Sequence, residues 1–179
     1  MKRLWMIPVI ISLLVAGMAA PVYAEEERLT MDQVRLILKT SRNFNRKNLS
    51  NMNLSGLDLS KSSMILTNLN NVDMRGASLS DSDLSSASLS GANMGEAALL
   101  GVKLIGSNLS GANLQQAKLN GAFLISADLT RVNLSGASLG QVDLTDANLE
   151  EADFTNAIID GVINIEKARN IDKAKGLFE

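Results

Sequence analysis

An all-β solenoid is the fold class this sequence predicts, and three observations predict it. A large apolar residue recurs at every fifth position, without a slip of phase, from Leu49 to Ile159. A small residue stands two places before most of these, with a single polar residue between. A period of five fits neither the 3.6 residues of a helix nor the two of a simple strand.

Residues 1–24 read as a secretory signal peptide. Lys2 and Arg3 make a basic start, an apolar run follows from Leu4 to Ala20, and Val22-Tyr23-Ala24 offers small residues at a cleavage site. Pro21 disfavours a cut after Ala20, so cleavage is expected after Ala24, before Glu25-Glu26-Glu27. The alternative is an uncleaved anchor, since the apolar run is only slightly short for a membrane span. With no cysteine in the chain, a lipoprotein anchor is excluded. The expected location is periplasmic or secreted, with no membrane contact after cleavage. Processing removes the one Trp and the one Tyr, Trp5 and Tyr23, and with them most near-ultraviolet absorption.

Residues 25–43 read as a linker and a capping helix. Thr30-Met31-Asp32-Gln33 fits a capping box, and Met31, Val34, Ile37 and Leu38 share one helical face. A helix over 30–41 is expected to lie on the end of the solenoid.

The repeat occupies residues 44–163. Its centres, such as Leu109, Leu114, Leu119, Leu124 and Leu129, number twenty-three in one frame, and Phe44 adds a possible first. Two inward positions in five, with one outward residue between them, describe a short extended step followed by a turn. Asn, Asp, Gly and Ser suit that turn because they tolerate unusual φ or bond their own backbone. One unit cannot bury its Leu alone, whereas stacked units form a continuous apolar column.

Gly111-Ala112-Asn113-Leu114-Gln115, Ser126-Ala127-Asp128-Leu129-Thr130 and Asp146-Ala147-Asn148-Leu149-Glu150 resemble the A(D/N)LXX motif of the pentapeptide-repeat family. The resemblance implies a right-handed quadrilateral parallel β-helix with four pentapeptides per coil, the central Leu and preceding Ala inside. Twenty-three repeats then make about six coils and a rod of about 28 Å.

The bare ends of such a rod would stack on other molecules, so caps are expected at both. In residues 164–179, Ile165, Ala168, Ile171, Ala174 and Phe178 recur at roughly helical spacing, with Gly176 as a breaker. A short helix or two turns covering the last coil is one reading. A homodimer through this C-terminal cap, as in some members of the family, is the other.

With four units per coil, residues twenty apart share a face, and apolar residues at outward positions become informative. Leu100, Lys103, Ile105, Phe123 and Ile125 are expected to form one exposed apolar patch with a lysine beside it, a candidate site for docking a protein partner. The competing reading is that β-branched side chains simply suit a sheet face. On the neighbouring face Asp73, Asn93, Asn113, Asn133 and Asp153 form a column read as turn-forming residues; a cation or polymer ladder is the alternative.

Composition narrows the chemistry. The chain has no Cys and no His, so thiol nucleophiles, imidazole bases and the commonest metal ligands are missing. Without Lys2 and Arg3, fifteen Lys and Arg stand against nineteen Asp and Glu, a formal charge of about −4. That argues against nucleic-acid binding. The expected function is an exported, non-enzymatic binding or structural scaffold with an unknown protein partner and no cofactor. Two alternatives compete with it. The family includes DNA mimics that bind gyrase, which the export signal and weak charge disfavour. A carboxylate-dependent hydrolase would use Asp81/Asp83 or Glu150/Glu151, but convex wet turns give no means of separating their pKa values.

Overall fold

A computed structural model of the chain describes residues 27–177. The signal segment with its Ala24 cleavage site, and Phe178 of the expected C-terminal stripe, lie outside the described residues.

Each five-residue unit makes one extended step and one turn. In the step, the residue before the centre pairs in parallel with the residue twenty further on: Asn108 with Asp128, then Asp128 with Asn148. Leu109, Leu129 and Leu149 therefore follow one another along one column, and all three are fully buried. The steps are one bridge long, so the ladder is a set of isolated parallel bridges rather than long strands. Four units complete a circuit.

The turn closes with the N–H three residues beyond the centre donating to the centre's carbonyl, as from Ala112 to Leu109 at 2.8 Å. The second residue past each centre has positive φ, from Arg46 through Gly161. That is the backbone sign a type II turn requires at its third position. Glycine fills it freely at Gly111 and Gly121, whereas Leu66, at φ 58, holds a conformation that costs a side chain roughly 1 kcal/mol.

Neighbouring circuits are joined by backbone bonds in both directions. Leu109 N–H donates to Asp128 C=O at 2.8 Å, Asp128 N–H donates back to Ser107 C=O at 2.9 Å, and Gly111 N–H donates to Thr130 C=O at 2.8 Å. The centres from Phe44 through Phe154 are wholly buried. Four inward positions hold hydroxyls instead of alanine or valine. Thr67 donates to Phe44 C=O at 2.8 Å, Ser82 to Leu59 C=O at 2.8 Å and Ser107 to Leu104 C=O at 2.7 Å. Ser62 Oγ has no partner among the described residues.

The N-terminal helix α1 (Met31–Thr40) carries the expected capping box, with Thr30 N–H donating to Gln33 Oε1 at 2.7 Å and Gln33 N–H donating to Thr30 Oγ1 at 3.3 Å. Val34 is buried, and Met31, Ile37 and Leu38 pack against the core. The linker does more than connect: Arg28 already pairs with Asn48, so α1 takes the place of two faces within the opening circuit. Arg42 closes part of the remaining edge. Its Nε donates to Ser60 C=O at 2.9 Å and its Nη2 to Asp58 C=O at 2.8 Å. One circuit on, the equivalent carbonyls of Ser78 and Ser80 accept from the backbone of Leu59 and Lys61, so the guanidinium stands in for a missing circuit.

At the other end the bridge ladder runs on past the last pentapeptide at 163 into the cap, with Asn148 paired to Arg169 and Asp153 to Lys175, so the spacing lengthens from twenty residues to 21 and then 22. Two 3₁₀ turns, Ile165–Lys167 and Ile171–Lys173, absorb the added residues as enlarged corners. Asn164, where an apolar centre would stand, adopts φ 56 and donates to Thr145 Oγ1 at 2.8 Å. Asn170 repeats the arrangement on Asn148 Oδ1 at 2.7 Å. The tail buries Ala168 and Leu177 but overlies only two faces. Ile159, expected inside as the last centre, is therefore only half-buried, and Ile158 beside it is exposed.

Candidate functional site

One face carries the bridge column Asn43, Ser63, Asp83, Lys103, Phe123, Asp143 and Ile163. Lys103 pairs directly with Phe123. Ile105 and Ile125 lie one circuit apart, their carbonyls accepting from Ser86 and Gly106 N–H at 2.9 Å each. Leu100 sits at the corner leading onto this face, just before Gly101 at φ 60. Leu100, Ile105 and Phe123 are exposed by 43%, 39% and 42%, and Lys103 is exposed beside them. Ile125 departs from the expectation. It is half-buried, because Ile105 and Thr145 flank it on the circuits to either side.

Sequence reasoning missed two members of this face. Leu66 is half exposed at a turn position where most repeats have a glycine or a polar residue, a signal the sequence did contain. Ile163 is exposed on the same column as Phe123, but its place at the boundary of the repeat hid its register. Between them lies Asp143, paired to both. Phe123, Asp143 and Ile163, with Gly121, Gln141 and Gly161, line an open groove of about 570 Å³.

The column expected on the neighbouring face lies on the opposite one, two of the four units from Lys103, and it behaves as turn chemistry demands. Asp73, Asn93, Asn113, Asn133 and Asp153 each accept a bond from the backbone N–H two residues on, at 2.9–3.3 Å. Asn113 Nδ2 also donates to Asn93 Oδ1 at 3.2 Å, one circuit away. The Arg75 guanidinium holds the Asp73 carboxyl below the usual carboxylate range, and the Thr155 hydroxyl does the same for Asp153. Among the described residues no three acidic side chains converge as a metal site would need.

The carboxylate pairs are tied up separately. Glu150 accepts from Lys173 Nζ at 2.9 Å, while Glu151 accepts from Arg131 Nε at 2.8 Å, which lowers its pKa. A general acid needs the opposite shift, in a dry pocket. Asp83 Oδ1 caps the backbone N–H of Ser85 at 3.0 Å, and Asp81 is exposed on a turn.

A filled four-sided solenoid with polar turns outside defines a repeat scaffold, whose working parts are its faces. The pentapeptide-repeat model, described as Pentapeptide repeats (8 copies), matches residues 43–81, 82–121, 107–146 and 133–163, and the chain belongs to that family. The family consists in general of structural and binding proteins rather than enzymes. A pentapeptide repeat protein (Rfr23) from the cyanobacterium Cyanothece 51142 is 23% identical and covers 78% of this chain and 99% of its own, with a TM-score of 0.57. One from the thylakoid lumen of Arabidopsis thaliana is 29% identical over 59% of this chain and 67% of its own, with a TM-score of 0.37. A trypsin-treated form of QnrB1, a plasmid-mediated fluoroquinolone resistance protein, is 18% identical over 72% of this chain and 76% of its own, with a TM-score of 0.44. No curated protein matches.

Proposed function

We propose that this protein is an exported, non-enzymatic scaffold that presents the flat faces of a right-handed quadrilateral β-helix, about six coils long, to a protein partner. The observation that carries the reading is the shared exposure of Leu100, Ile105 and Phe123, with Lys103, on one face of a rod whose turns are otherwise mostly polar. Contiguous exposed apolar area of this kind marks interfaces. The basic, apolar and small-residue order of residues 1–24 supports export to the periplasm or beyond. The reading requires no cofactor, nucleic acid or membrane.

A photoreactive residue at position 105, with one at position 93 on the opposite face as control, tests the docking face in intact cells. The expected result is a crosslinked product from position 105 alone, lost when Phe123 is changed to Ser. Equal crosslinking from both positions overturns the reading. Sequencing the mature N-terminus tests export, and Glu25 is the expected first residue.

The DNA-mimic alternative gains no support from the charge pattern. Residues 27–61 carry seven Lys and Arg against three Asp and Glu, which no uniformly acidic duplex mimic would display. A homodimer through the C-terminal end draws support from exposed Ile158 and Ile163, and sedimentation equilibrium separates it from the monomer.

A further inference from the structure

We propose that the groove around Asp143 receives an arginine side chain of the docked partner, its guanidinium on the Asp143 carboxylate and its aliphatic stem between Phe123 and Ile163. The inference rests on the reading of this face as the docking surface and names the chemistry that surface recognises.

Three features of the groove point to that occupant. The first is the split in the carboxylate. Asp143 Oδ1 accepts from Thr145 N–H at 2.9 Å, from Thr145 Oγ1 at 2.5 Å and from Asn164 Nδ2 at 3.5 Å. Oδ2 has no partner among the described residues. One oxygen does the structural work of the turn and the other is left for a ligand. The Thr145 hydroxyl holds the group below the usual carboxylate range, so the site is anionic at neutral pH.

The second feature is the pair of walls. Phe123 and Ile163 each pair with Asp143, one circuit to either side, and both are exposed. Two circuits span about 10 Å, room for an aliphatic stem between the side chains. The third is the corner beside the groove, where Gly121 and Gly161, at φ +71 and +78, flank Gln141 and leave it the one side chain there.

These features favour arginine over other partners. An apolar side chain would leave a carboxylate oxygen desolvated and unpaired, which costs on the order of 1–3 kcal/mol or more. A bare cation would gain nothing from the walls. Arginine satisfies both, with a planar donor fork for the carboxylate and a face that stacks on an aromatic ring. The chain's own nearby cation, Lys167, acts on the carboxylate through its charge but forms no bond to it: its Nζ donates to Asn164 Oδ1 at 2.8 Å.

The probe is N-acetyl-arginine methylamide, titrated into the protein while amide chemical shifts are followed. Its citrulline counterpart has the same shape without the charge. The expected result is a saturable shift at Phe123, Asp143 and Ile163 with the arginine compound only. Asp143→Asn should weaken it at least about fivefold, since a charge-assisted bond becomes a neutral one. That variant keeps the turn, because Asn133 caps Ser135 N–H at 2.9 Å in the equivalent position. Phe123→Ser should weaken it as well. No shift at millimolar arginine, an equal response to citrulline, or indifference to Asp143→Asn each overturns the inference. Crosslinking from position 105 that persists while the arginine compound fails to bind would leave the docking face standing and remove only this site.

Discussion

Replacing Leu109 by Ala tests the column of centres directly. Leu109 is fully buried, and the centres before and after it in its column, Leu89 and Leu129, are fully buried too. Removing three carbons forfeits about 2.4 kcal/mol of transfer energy at about 0.8 kcal/mol per methylene. A cavity term adds to this according to how far the walls can collapse. Here they can move little, because backbone bonds tie the step on both sides: Leu109 N–H donates to Asp128 C=O, and Asn108 C=O accepts from Leu89 N–H. The expected loss is therefore about 4 kcal/mol, in the upper part of the range for buried Leu→Ala. Ile159→Ala occupies the same motif position on a half-buried, uncovered face and should cost only about 1 kcal/mol. Urea unfolding followed by far-ultraviolet circular dichroism measures both. Equal losses, or a loss below about 1 kcal/mol for Leu109→Ala, would refute the filled column as the source of stability.

Further outcomes follow from other parts of the rod. A Cβ at Gly176 would lie 2.7 Å from Thr155 N and 2.8 Å from its Cα at φ +74, so Gly176→Ala should release the tail to proteolysis; at Gly111 nothing lies within 4 Å, and Ala there should cost only about 1 kcal/mol. Ser62→Ala removes a buried hydroxyl without a partner and should be neutral or stabilise by up to about 1 kcal/mol, whereas Thr67→Val loses the bond to Phe44 C=O and should destabilise by about 1 kcal/mol in the same urea assay. Asp73, Asp143 and Asp153 are held below the usual range by Arg75, Thr145 and Thr155 respectively, so their contribution is complete above the ordinary carboxylate pKa and is lost as pH falls through the lowered native values. The urea midpoint should drop across that acid window, and less so in Asp153→Asn. Arg42→Ala leaves the Ser60 and Asp58 carbonyls open at the N-terminal edge and should raise self-association in light scattering.

Much of the fold could be read without coordinates because its determinants are local and repeated. Leu109 predicts its own burial from one frame counted along the chain, and with the four-unit coil that the family resemblance implies, its column as well. The capping box at Thr30 and Gln33 was equally visible, since both partners lie within four residues. The Asp73–Asp153 column proved to be turn chemistry for the same local reason. The exposed apolar face was legible in part: the register places Leu100, Ile105 and Phe123 on one side, but it did not reveal that Ile125 sinks between its neighbours. The groove at Asp143 was missed, because its second wall, Ile163, is the last outward residue of the repeat, and its exposure depends on how the chain beyond it covers the final circuit.

The sequence by itself determined the period and the inward and outward sets, because one residue in five carries nearly all the burial and the backbone does the same thing at each step; four units per circuit was what the family resemblance implied, and the bridges twenty residues apart bear it out. Only the tertiary structure decided the ends. There the ladder meets chain that breaks the period: Arg42 reaches across to carbonyls sixteen and eighteen residues away, and the enlarged corners at Asn164 and Asn170 carry the last pairs on to Lys175. Such closures depend on which edge groups the final circuit leaves unpaired, a property of the assembled rod and of no single repeat.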